Sequence, residues 1–478
     1  PDFDIYRNVF ANELHAINLA QTVMLQRQGL ITESEASMTA EALFHIMENV
    51  DFASMTYDGS FEDLFFVIER ELAKRIGISV SGKLHTGRSR NDMEHTMFRM
   101  VLKKKLIENL ELHESLVEKL IYKAGSNLEE IILLYTHGQP AQPSTLAHYL
   151  GAVIEVILRD MERIYSALQN VDLCPMGAAA ITTSGFNVDR ELMAELLGFH
   201  DCVENSYGAI AACDYITASY SAMKLSCINL GRFVQDLASW TGFEISQLYV
   251  PDGFVQISSI MPQKRNPVPV EHMRLMFSLA SGGAEQIIET MHNTPFADMN
   301  DSERETQSNG HQVFDRMKRA LMLLSGFVEA IEVDQSSVNK RIDASLATIT
   351  ELADSIVRNE KISFRQAHQI AHKIAQTSIE QQKSLQEFSF EEYCCFFKSE
   401  IGDNAKMKPG IFNQISDPRH FVAVRNLRGG PSKESMLESL QKYREKGESY
   451  IEKIAAEKTR MELAVNQREQ SAKNLMIS

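Results

Sequence analysis

Several things are scarce in this sequence. Only 12 prolines and one tryptophan occur in 478 residues. Strand-like alternation of apolar and polar residues is also rare, which argues against a fold built on sheets. No apolar run is long enough to cross a bilayer, and the opening residues lack the pattern of a secretory leader. A cytoplasmic protein with no membrane partner is therefore expected. Positive charge is in deficit: 48 Lys and Arg stand against 64 Asp and Glu, a net charge of −16. That argues against a nucleic-acid partner, because phosphate binding needs basic surface. The cysteines are Cys174, Cys202, Cys213, Cys227, Cys394 and Cys395. They form no CxxC pair and have no histidines at ligand spacing, so no metal site is expected.

What is abundant is helical signal. Thr32 and Glu35 make a capping box, followed by Met38, Ala42, Leu43, Ile46 and Met47 at helical spacing,. Amphipathic stretches run over Phe61–Ile76, Met93–Lys123, Pro143–Leu168, Ala209–Trp240, Val270–His292 and Gln312–Ile331. Apolar content of 44% supports a large core, and the length predicts two or three domains. The expected class is all-α, with a bundle of long helices at its centre. Boundaries are expected near residues 87/88 and 338/339. These give an N-terminal helical domain (1–87), a central bundle (88–338), and a C-terminal helical domain with a charged tail (339–478).

The chemistry concentrates in Ser258-Ser-Ile-Met-Pro-Gln-Lys-Arg-Asn-Pro-Val268, just after Gly253. Hydroxyls beside a lysine suit removal of a proton from carbon next to a carboxylate. A serine does this as an alkoxide, which the Lys264 cation favours, and the same lysine can hold the charge that builds on the carboxylate. A polar surface turn fits the same residues, and residue types alone do not separate the two readings.

This segment resembles the signature loop of the fumarase/aspartase superfamily, lyases that release fumarate by β-elimination. His85-Thr-Gly-Arg-Ser-Arg-Asn-Asp92 resembles the motif of its argininosuccinate lyase branch, and Thr136-His-Gly-Gln-Pro-Ala-Gln-Pro143 its histidine motif. Weaker likeness runs through Pro175–Phe186, Asp189–Phe199 and Asp417–Pro431. The resemblance implies a carbon–nitrogen lyase that needs no cofactor, acts on an N-substituted aspartate, and takes a small dicarboxylate as its ligand. It implies a homotetramer with a twenty-helix core, each active site being built from three subunits. Ser258, eight residues before Asn266, would be the base; the residues themselves do not choose between Ser258 and Ser259. Lys264 and Asn266 would stabilise the intermediate. His137 would act on the amine side, polarised by Glu271, with His85 as a second candidate. Ser89, Arg90, Asn91 and Thr136 would clamp carboxylate, since arginine's planar fork matches that group. Asn91 or Asp92 would also cap the following helix.

The amine end departs from the argininosuccinate lyase pattern. Ala211-Ala-Cys-Asp214 stands where the family carries Ser-Asp-Arg-Asp, so Cys213 replaces an arginine. Thr294–Glu303 lacks the usual tyrosine, glutamine and lysine. Asn293-Thr-Pro-Phe296 is instead similar to lyases that add diamines to fumarate, such as ethylenediamine-disuccinate lyase. Asp298, Asp301 and Glu303 could receive a cationic amine, although Ser302 and Glu305 also read as a capping box. Two rival expectations stand: a true argininosuccinate lyase with a differently built arginine site, and a non-catalytic relative kept as a structural or binding protein.

Overall fold

The computed structural model describes residues 2–477. Helix starts largely follow caps that the sequence displays. After α1 (Ala11–Arg27), Thr32 and Glu35 form the expected capping box on α2 (Glu33–Asn49), and Asp63 caps α3 (Leu64–Ile76), which stops at Gly77. The long α4 (Arg90–Ser126) is capped by Ser89. Asp92 completes the box by accepting the Ser89 N–H at 2.9 Å. Asn91 is therefore not the cap; the three-residue spacing from Ser89 to Asp92 lets each satisfy an open amide of the other.

A hairpin follows, β1 (Ile131–Thr136) against β2 (Gln139–Thr145). It takes the start of a stretch expected to be helical, so α5 begins only at Leu146 (Leu146–Val171). Beyond α6 (Arg190–Leu197), the stretch expected as one helix from Ala209 breaks at Ala212 and Cys213, and α7 is Asp214–Thr241. Next come a second small hairpin, β3 (Gln256–Ile257) with β4 (Arg265–Asn266), then α8 (Val268–Thr290) and α9 (Arg304–Ala330). The Ser302–Glu305 capping box does not form. The Ser302 hydroxyl instead donates to the Met299 carbonyl at 3.1 Å within a short 3-10 turn, and Glu303 takes the cap position.

Five helices close a ring in which α4 meets α5, α5 meets α7, α7 meets α8, α8 meets α9, and α9 returns to α4. Their shared core includes Leu106, Ile154, Met223, Phe277 and Leu321. A second core joins Phe10, Leu14, Leu43 and Phe65 to the first turns of α4. A third forms among α10 (Ile349–Glu360), α11 (Phe364–Glu380) and α12 (Phe390–Ile401), around Ile356, Ile370 and Tyr393. The charged tail is one helix, α13 (Lys433–Leu475), capped by Ser432. It lies on α4, α5 and α1 and adds Met436, Leu440, Tyr450 and Ile454 to the bundle core. Each such burial is worth roughly 2 kcal/mol, so the tail is fastened rather than fully solvated. Among the described residues, no helix is long and apolar enough to cross a membrane.

Candidate active site

The bundle separates the expected site residues into two groups. At about 1.5 Å per residue, the 37 residues of α4 span roughly 55 Å and the 28 of α7 about 40 Å. Ser89, Arg90 and Asn91 sit at the head of α4. The head of α7 packs on the first turns of α4, where His95 lies 3.3 Å from the Tyr215 hydroxyl and 3.7 Å from Asp298, the partner of Asn91. The other end of α7 carries Thr241, which shares the wall of a cavity of about 560 Å³ with Met261, Lys264 and Arg265. The Ser258 loop is thus at the far end of the bundle from the clamp.

That loop closes the β3–β4 hairpin, in which Gln256 pairs with Asn266 and Ile257 with Arg265. Asn266 Nδ2 donates to the Gln256 carbonyl at 3.0 Å. Arg265 pairs with Asp252 and donates to the Val250 carbonyl at 2.7 Å. Inside the loop, Ser258 Oγ accepts the N–H of Met261 at 3.0 Å and of Ile260 at 3.3 Å. Two amides aimed at one hydroxyl oxygen favour its ionised form. Among the described residues, the Ser259 hydroxyl receives no such pair of amides.

His137 occupies the tip of the β1–β2 hairpin. With Thr136 paired to Gln139, His137 (φ 52°) and Gly138 (φ 75°) form a two-residue turn with both φ positive, the geometry that suits a right-twisted ribbon. Histidine tolerates this left-handed region better than most residues, and glycine tolerates it freely. Thr136 and His137 are exposed. Glu271 is exposed near the start of α8, and among the described residues no ion pair joins it to His137. His85 is half-buried against Phe65, and burial holds its ring down at about 4.

At the clamp end, Arg90 donates through Nη1 to Glu62 at 2.8 Å and to Asp63 at 3.1 Å. Asn91 Nδ2 donates to Asp298 Oδ2 at 2.5 Å. Asp298 also lies 3.7 Å from the buried His95 ring, and Cys213 is half-buried at the head of α7. The Asn91–Asp298 contact bridges 207 positions in sequence, so local pattern carries no sign of it. The sequence reading also missed Glu94, which is buried and paired with Arg304 at 3.1 Å. Burial, partly offset by Arg304, pushes the Glu94 carboxyl up to about 7.

A pH effect follows from Glu94. An acid whose folded value is raised favours the folded state while protonated and loses that contribution as pH rises through the folded value. The window runs from the ordinary 4.5 to about 7. Between pH 5 and pH 8 the stability difference should therefore move in favour of Glu94→Gln over the parent, by about 3 kcal/mol at most. Denaturant midpoints of both proteins at the two pH values test this; a difference that is flat with pH would contradict it.

Residues 11–282 match the sequence profile of the Lyase family, and residues 346–423 that of the argininosuccinate lyase C-terminal family. A protein named argininosuccinate lyase 2, from Agrobacterium fabrum, is 48% identical over 446 residues, covering 93% of this chain and 88% of the relative. The chain belongs to the argininosuccinate lyase branch of the fumarase/aspartase superfamily. It is a carbon–nitrogen lyase that releases fumarate. The argininosuccinate lyase of Methanocaldococcus jannaschii is 31% identical across 91% of this lyase and 88% of its own length. The fold matches the crystal structure of EDDS lyase in complex with formate with a TM-score of 0.88 at 25% identity, covering 100% of this chain and 96% of that one. A class II fumarase from Schistosoma mansoni shares the fold at a TM-score of 0.69 and 16% identity, over 88% of this chain and 90% of its own.

Proposed function

We propose that this lyase cleaves an N-substituted L-aspartate into fumarate and an amine, reversibly, with the roles divided as follows. Ser258, as alkoxide, takes the proton from C3, and the electron pair moves into the C4 carboxylate to give an enolate-like dianion. Lys264 and Asn266 stabilise that charge. As the double bond forms, the C2–N bond breaks and the amine leaves with a proton supplied from the side of His137, whose ring Glu271 orients. Ser89, Arg90, Asn91 and Thr136 hold the carboxylates. Arg90 makes both of its ion pairs through Nη1, which leaves Nε and Nη2 to form a two-pronged contact with substrate. The observation that carries this reading is the pair of backbone amides directed at Ser258 Oγ.

We further propose a homotetramer with shared sites. Its support is the separation of the clamp from the Ser258 loop by about 40 Å. Leu225 and Ile228 on α7, with Leu275 and Leu279 on α8, are exposed apolar residues on the outside of the bundle and suit burial against a second copy.

The leaving amine is set at the clamp end, where Asp298 lies against Asn91 and Cys213 stands in place of an arginine. Cys213 in place of that arginine removes a partner for the α-carboxylate of argininosuccinate while Asp298 remains, which favours an aminoalkyl group that carries no carboxylate. Reading the chain as a true argininosuccinate lyase is favoured instead by the 48% identity to a protein of that name. Fumarate absorbance on a panel of argininosuccinate and N-(aminoalkyl)aspartates separates the two. We expect faster release from an aminoalkyl member, with Cys213→Arg shifting the ratio toward argininosuccinate about tenfold, the scale of one charged hydrogen bond. Fast release from argininosuccinate by the parent would overturn the amine assignment and leave the lyase chemistry intact.

A further inference from the structure

The clamp rests on a residue that the roles above do not use. Asp92 is fully buried in the first turn of α4, and both of its carboxylate oxygens are engaged by backbone. Oδ1 accepts the N–H of Ser89 at 2.9 Å, while Oδ2 accepts the N–H of Gly177 at 3.0 Å and of Ala179 at 2.9 Å. The latter two belong to the loop after Pro175, which coils around the carboxylate through Gly177 (φ 83°) and Ala179 (φ 52°). The same loop presents Thr182 and Thr183 to solvent, with Ser184 half-buried beside them. Its returning segment touches the clamp motif from the other side. A Cβ on Gly87, which has φ 72°, would fall 2.5 Å from Val188 Cγ1 and 3.4 Å from Ser184 Oγ. Two contacts thus fasten this hydroxyl-bearing loop to the clamp, a buried carboxylate inside and a glycine close approach outside. Burial raises the Asp92 carboxyl to about 6, against the pull of those three amides and Arg88. A buried acid held in that condition is a costly way merely to cap a helix, when Ser89 already supplies a cap.

We propose that Asp92 is a positioning residue for substrate binding: by tying residues 177–184 to Ser89, it fixes the distance between the clamp and the Thr182–Ser184 hydroxyls that complete the carboxylate-binding wall. This rests on the reading of Ser89–Asn91 as a substrate clamp. An amide in place of the carboxylate offers one acceptor and one donor, so one of the two attachments must face a donor and come loose.

The test is steady-state kinetics on the assembled enzyme for Asp92→Asn, with Asn91→Ala as the reference for the clamp. Asp92→Asn should raise KM at least tenfold while kcat changes less than threefold, whereas a merely structural role would lower the amount of active enzyme at unchanged KM. If Asn91→Ala raises KM and Asp92→Asn does not, the positioning role is overturned. If Asn91→Ala itself leaves KM unchanged, the clamp reading fails and the positioning role fails with it. A second measurement needs no variant: hydrogen exchange of the parent with and without fumarate. Slower exchange of residues 177–184 together with 85–92 on adding fumarate supports the proposal, and an unchanged 177–184 segment overturns it.

Discussion

Ser258→Ala should remove turnover almost entirely while the protein folds and assembles as before. Ser258→Ala loosens the turn at Ile260 and Met261, but the rest of the loop's anchoring, the β3–β4 pairing, the Asn266 contact to Gln256 and the Arg265 contacts to Asp252 and Val250, lies outside Ser258. What the substitution deletes is the oxygen toward which the amides of Ile260 and Met261 are turned. A positioned base contributes about 10²–10⁴-fold to a proton transfer. Ser259→Ala is the paired control and should retain most activity. The measurement is the rate of fumarate release at saturating substrate for the three proteins, beside their elution volumes. Near-normal turnover in Ser258→Ala, or loss in Ser259→Ala instead, would reassign the base.

How far the sequence alone reached depended on the range of the cause. Local causes read well. The Thr32–Glu35 box and the stop at Gly77 are written in adjacent residues, and both occur in the structure. Competition between local signals read less well. Ser302 and Glu305 satisfy the capping pattern, but the Ser302 hydroxyl finds the Met299 carbonyl first. His137-Gly138 is a hairpin turn that lacks the more usual asparagine, and the prolines at 140 and 143 hid the strand in which they lie. Proline is tolerated there only because an edge strand has amide positions that face away from its partner. Long-range causes were not legible at all. Asn91 meeting Asp298, Arg90 meeting Glu62 and Asp63, and Asp92 gathering the 177–179 amides all join residues that no spacing rule connects. The motifs point to the residues proposed to carry chemistry; the helix lengths set the head of α4 and the Ser258 loop about 40 Å apart within one chain,.

That geometry has a direct consequence for mixed assemblies. Ser258→Ala should be nearly inactive for want of a base, and Asn91→Ala should be slow at substrate concentrations well below its raised KM for want of its clamp amide. Co-expressed, or unfolded and refolded together, they should regain activity. The reason is distance: α7 runs from Cys213, beside the clamp, to Thr241, beside the Ser258 loop, and about 40 Å of helix cannot be bent to close that gap. In the proposed assembly a working site takes its clamp from one copy and its serine loop from another. In an even, random mixture each contributing copy is of the needed kind half the time, so about one site in four is intact, as expected for a closed symmetric oligomer. Covalent linkage of the two defects in a single chain removes the effect, so the double variant Asn91→Ala/Ser258→Ala mixed with either single variant should regain far less. The check is fumarate release from mixtures whose mixed composition is verified by native mass spectrometry. Verified mixing without recovered activity would mean that clamp and base act within one chain, and that the bundle rearranges far beyond the form described.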